Sequence, residues 1–137
     1  MTHNEVRNAI LTAFLSMWGT TTLVAHDNQQ FSPPDDRTPW IRHNIRFMDG
    51  WQASIGDPGN NLFRNTGMVV VQVFTPVGDF TYNNDVYCQT IYNHYKGNVS
   101  ITGVRFSSTR IVTWGPEVGK VWYRQDVDVD FQFDDLG

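Results

Sequence analysis

Apolar residues recur with a helical period at the start of the chain. Val6, Ile10, Ala13, Phe14 and Met17 fall at i, i+4, i+7, i+8 and i+11, which is one face of an amphipathic helix predicted over 4–18. Gly19 can stop that helix, and the threonines after it favour a short strand over 22–26. The stretch DNQQFSPPDDRTP (27–39) reads as a loop, because Pro33, Pro34 and Pro39 cannot donate to a strand ladder.

From Trp40 to Met48 the period changes to two. Ile41, His43, Ile45 and Phe47 share one face, and Arg42, Asn44 and Arg46 share the other, as in a half-buried strand. Residues 49–67 are rich in Gly, Asn and Asp and read as a long flexible loop, with a longer hairpin whose tip is simply mobile as the alternative. In 68–74 both faces are apolar: Val69, Val71 and Val73 on one, Met68, Val70 and Phe74 on the other. Helices can cover one of these faces, and a neighbouring subunit is the expected cover for the second. Asp79 stands as the N-cap of a second helix on which Phe80, Tyr87, Cys88, Ile91 and Tyr95 have roughly helical spacing, with Gly97 as its stop. Two extended segments follow, 99–114 and 119–133, joined by a turn at WGPEVG. The first loses phase at Ser107 and Ser108, where a bulge is expected. The order of elements predicts one α+β domain, 1–137, with a largely antiparallel sheet packed against two helices.

Composition narrows this picture. At 137 residues, with 40% hydrophobic and 18% charged content, the chain can bury a core of its own. Its apolar runs are shorter than the ~20 residues of a membrane span, and no secretory signal pattern opens it, so no membrane partner is expected. The single Cys88 excludes an internal disulfide and fits a reducing cytoplasm. The net charge of -4 is segregated: up to Gln125 ten bases meet nine acids, and Asp126, Asp128, Asp130, Asp134 and Asp135 supply the excess. No basic run points to specific nucleic-acid binding.

Candidate chemistry is sparse. TPVGDF, after the apolar strand, has one glycine, no lysine and an aspartate where an anion would sit, so it is read as a structural turn and not a phosphate loop. His3, His26, His43 and His94 form no metal-ligand spacing, His26-Asp27 is a weak dipeptide signal, and no cofactor or catalytic residue is expected. DVDVD matches the first three ligand positions of a calcium loop, but Phe131 stands at the sixth and Gly137 at the twelfth. It reads instead as a strand with Val127, Val129, Phe131 and Phe133 inward. Asp126, Asp128 and Asp130 then form an outward acidic stripe.

The chain resembles the tail terminator or minor tail proteins of long-tailed bacteriophages. The resemblance rests on the helix EVRNAILTAFLSM, the strand TPWIRHNIRF after a Pro-rich loop, GMVVVQVFTPVGDF leading into a helix, and the final VWYRQDVDVDFQF. It implies a non-enzymatic virion protein, assembled in the host cytoplasm. Such a protein forms a six-membered ring that caps the tail tube, stops its growth and meets the head-tail connector proteins. Its partners would be itself, the tail tube protein and the connector, with DNA passing through its channel. In that frame Trp51, Ile55, Leu62 and Phe63 are expected to anchor an assembly loop that orders on contact. The three aspartates are expected to line the channel and repel phosphates. Two other readings stay open: another neck, head-completion or tube protein, or a small ligand-binding domain whose pocket is lined by Trp40, Trp51, Trp114 and Trp122.

Overall fold

The computed structural model describes residues 1–117 and 121–137, without the side chains of residues 98 and 117. Its elements are α1 (His3–Trp18), β1 (Leu23–His26), β2 (Trp40–Gln52), β3 (Leu62–Pro76), α2 (Tyr82–Asn93), β4 (Val104–Glu117) and β5 (Trp122–Leu136). A π-helical turn, His94–Asn98, extends α2. The five strands form one sheet in the order β1-β2-β3-β5-β4. Every pairing is antiparallel except β1 with β2. This is the predicted α+β domain.

Local chemistry sets the ends of α1. The Thr2 hydroxyl accepts the Glu5 N–H and donates to the Glu5 carboxylate, satisfying a backbone donor that the first turn cannot. Gly19, with φ 58°, turns the chain away while its N–H bonds to Leu15 O. Val6, Ile10, Phe14 and Trp18 are the buried face. They pack, with Cys88, Ile91 and Tyr95 of the second helical segment, on one face of the sheet against Ile41, Ile45, Val69, Val71, Val73, Val127, Val129, Phe131 and Phe133. Fully burying a side chain of Phe14's size is worth about 2–3 kcal/mol.

The hairpin reading of 49–67 is the one the structure adopts. Gly50, Trp51 and Gln52 pair with Asn65, Arg64 and Phe63, so β2 and β3 extend well past the predicted strands and only 53–61 connect them. A flexible loop was expected from the glycines and asparagines, but ladder hydrogen bonds to β5 on the far side of β3 outweigh their poor strand propensity. Gly67 ends the predicted loop yet sits inside β3, because the Phe131 ring lies where its Cβ would be.

Other boundaries move as well. Asp79 is not the helix cap and Phe80 is not helical. Gly78 (φ 100°) and Phe80 (φ 58°) reverse the chain, and α2 starts at Tyr82 after Thr81. Its buried face is Asn84, Cys88 and Ile91, a polar residue completing the helical period. In β4 the register shifts between Phe106 and Thr109, which puts the bulge at Ser107 and Ser108 as expected. The strand then runs on to Glu117, so the rest of the WGPEVG turn, at residues 118 and 119, lies outside the described residues.

The face of the sheet away from the helices is partly covered by the chain itself. Trp40, Phe74 and Trp122 stack there with Ala25, and Phe31 from the Pro-rich loop packs over them. The second face of β3 therefore does not wait wholly on a neighbouring subunit. Just beyond β1 the β2 edge is closed at Ile45. Asp27 accepts the Ile45 N–H at 2.9 Å and an Arg7 N–H at 2.6 Å, and Arg7 also donates to Ile45 O at 3.4 Å. A capped edge cannot template strand pairing. This also gives Asp27 of the His26-Asp27 dipeptide a structural role.

Candidate functional site

Two surfaces carry the residues singled out from the sequence. The first is the tip of the β2–β3 hairpin. Ile55 is 86% exposed, and Trp51 and Leu62 are also exposed; Phe63 is half-buried and packs near Gly137. The tip is braced by hydrogen bonds within the chain. Asn61 and Gly137 exchange backbone N–H···O bonds of 2.9 Å in both directions. Arg64 holds Asp134 through two hydrogen bonds of 3.0 and 3.2 Å, and Asn65 donates to Asp135. Ser54 Oγ accepts the Leu62 N–H, and Asn61 Oδ1 accepts the Asp57 N–H. Gly56 and Gly59 take the positive φ values that let 53–61 close. Four apolar side chains thus stand on a hydrogen-bonded hairpin.

The second surface is the uncovered part of the sheet. Asp126, Asp128 and Asp130 do alternate with the inward Val127 and Val129, but they do not stand alone. Cross-strand register sets Arg42 and Arg46 of β2, and Arg110 of β4, on the same face. With Arg124, four arginines meet three aspartates. Arg124 grips Asp126 at 2.7 and 2.8 Å, and that carboxylate is only 3% exposed. Arg110 lies 3.3 Å from Asp130 and 3.9 Å from Asp128. Burial first, and Asp126 second, push the Asp128 carboxyl above its usual range. The stripe is a mixed-charge face and not an acidic one. Sequence reasoning missed this because each arginine is isolated along the chain and only strand register collects them.

The four tryptophans do not form a pocket. Trp40 and Trp122 are buried against each other, Trp51 is on the hairpin, and Trp114 is exposed with Arg124 over its ring at 4.7 Å. No group of three or more His, Cys, Asp or Glu among the described residues could hold a metal ion. No described helix is long and apolar enough to cross a membrane.

A family profile described as phage tail terminator protein matches residues 5–122 of the 137. The chain belongs to the phage tail terminator protein family. Its role is therefore structural, in the assembly of a phage tail, and its place is the virion tail. No curated protein matches it significantly. Several solved structures share its fold; one of them has 17% identity and a TM-score of 0.65, over 96% of this chain and 97% of the other.

The titratable residues inside this tail terminator serve packing. His43 is buried against Phe14, its Nε2 2.8 Å from the Tyr95 hydroxyl. Burial, then the nearby His26, His94 and Arg7, lower its pKa to about 3, and burial lowers that of His94. Burial raises the Tyr95 hydroxyl and pushes the Cys88 thiol up to about 12, so that thiol is inert. An acid-lability prediction follows for His43. In the unfolded chain it takes a proton near pH 6.5, but in the fold only near 3, so the unfolded state binds more protons in between. Its stabilising effect is complete above 6.5 and is lost as pH falls toward 3, at up to ~1.4 kcal/mol per pH unit. Urea midpoints measured at pH 7, 5.5 and 4.5 should decline. His43→Phe, which cannot take a proton, should flatten the decline, and an equal slope in both proteins would refute the assignment.

Proposed function

We propose that this protein caps the phage tail tube as a closed ring of six copies, ends polymerisation of the tube and forms the joint to the head-tail connector. Assembly takes place in the host cytoplasm, and DNA passes through the ring without base-specific contact. The observation that carries the reading is the family match over 5–122. The braced hairpin supports it, because a rigid apolar projection is what a repeated protein contact uses and it loses little entropy on binding. Trp51, Ile55, Leu62 and Phe63 are its anchors in this reading. The open face with Asp126, Asp128 and Asp130 remains the candidate wall of the bore. Its four arginines are largely offset there by carboxylates, which weakens the phosphate binding that unpaired arginines would give.

Deleting Ile55–Asn60 tests the hairpin. The deletion keeps Ala53 and Leu62 in register and leaves Asn61 bonded to Gly137. The variant should remain folded, with a circular dichroism spectrum and melting temperature close to those of the parent. Tube protein polymerised in its presence should grow without length control under the electron microscope. Tails of normal length would show that the hairpin tip takes no part in capping.

A further inference from the structure

We infer that copies of this chain join by unlike ends of their sheets: the turn after β3, anchored by Phe80, seats on the β2–β3 hairpin of the next copy. This rests on the ring reading and names its contact.

Phe80 is the most exposed large apolar side chain described, at 90%, and it sits in the left-handed region with φ 58°. A bulky L-residue is strained there, and among the described residues little of its ring is buried. The turn is tied down just ahead of Phe80, at Val77. Val77 N donates to Val121 O at 2.9 Å, and Arg37 Nη2 donates to Val77 O at 2.7 Å. Beside the ring lies a shallow apolar recess of about 300 Å³ lined by Val77, Gly78, Phe80, Thr81 and Tyr123. A projecting aromatic on a rigid turn beside such a recess has the form of an interface anchor.

The matching surface is at the other end of the same strand. β3 runs from Leu62 to Pro76, about 45 Å at ~3.3 Å per residue, so one copy cannot bring its two ends together. At the Leu62 end stand Ile55, Trp51 and Leu136, all exposed, with Leu136 paired to Leu62. A two-fold dimer needs one self-complementary patch. Two different apolar patches at opposite ends of a rigid strand suit a head-to-tail contact, which closes into a ring. The edges of the sheet are poorer candidates, since β1 on one side is only four residues long, with Arg7 and Asp27 closing β2 at Ile45 beyond it, and two register shifts distort the other.

Two exposed positions allow a decisive mixing experiment. Phe80→Asp and Ile55→Asp each disable one end, and neither should unfold the protein, since both side chains are in solvent and Asp tolerates a left-handed backbone. Assembly is read as mass in solution with tube protein present. Each variant alone should lose the ring. An equal mixture should form a dimer and nothing larger, because only one junction per pair has both halves intact. Phe80→Gly relieves the backbone and should raise the melting temperature of the monomer while still losing the ring. Rings formed by either Asp variant, or a mixture that stays monomeric, would overturn this contact and leave the ring reading standing. Wild-type protein that forms no ring beside tube protein would overturn the ring reading and this contact with it.

Discussion

Replacing Gly67 with alanine is expected to destabilise the fold by about 3 kcal/mol, the upper end of what overpacking costs. A Cβ at this position would lie 2.7 Å from the Arg46 carbonyl oxygen and 2.8 Å from Cε1 of Phe131, with the ring's Cζ nearer still. The carbonyl belongs to the β2–β3 ladder, and the ring is part of the core, so neither neighbour can give way without repacking. Gly97 has open space around its missing Cβ and no positive φ, so Gly97→Ala should change stability by less than ~0.5 kcal/mol. Urea unfolding of both variants makes the comparison. A Phe131→Leu change should cost less in the Gly67→Ala background than in the parent, because the two sites share one space. Additive effects, or a Gly67→Ala variant as stable as the parent, would show that the ring moves freely.

Loss of the Asn84 side chain should have an effect of similar size. This residue is fully buried on α2 and ties the helix to two strands. Its Nδ2 donates to Val73 O, Thr75 Oγ1 and Tyr123 O at 3.0–3.2 Å, and its Oδ1 accepts from Gln125 Nε2 at 3.0 Å and from the Cys88 thiol. Gln125 in turn donates to Asp85, so the network spans β3, α2 and β5. Asn84→Ala leaves several buried polar atoms without this partner, at ~1–3 kcal/mol for each that finds no substitute. A total near 3 kcal/mol is expected, which is ~12 °C in melting temperature for a domain of this size. Asn84→Asp is the sharper test. It keeps the shape, removes both N–H donors and introduces a charge among carbonyl oxygens, so it should be worse than alanine. An Asp variant that melts above the Ala variant would mean that packing around Asn84, and not its hydrogen bonds, holds the helix.

Both positions mark where reading along the chain stops being informative. Period alone predicted α1, because Val6, Ile10 and Phe14 repeat on a single helix and need no distant partner to be recognised. It likewise predicted which residues of β5 face inward, since Val127, Val129 and Phe131 alternate strictly, and the bulge at Ser107 and Ser108, where that alternation breaks in β4. The phage tail resemblance came from the order of these elements and their junctions, which also run in sequence. Pairing across the sheet was beyond such reading. Glycine-rich 49–67 has the local composition of a loop, and only pairing between its two halves and with β5, some seventy residues away, makes its ends strand. Asn84 looks like a surface residue until its acceptors, from β3 and the start of β5, are brought beneath the helix. Aspartates alternating on one strand look like an acidic stripe until register places arginines from two other strands among them. Periodicity is a property of neighbours in the chain, so sequence by itself determined the elements and their apolar faces. Neutralised charge, a glycine under a ring and a buried amide are properties of neighbours in space, and only the tertiary structure decided them.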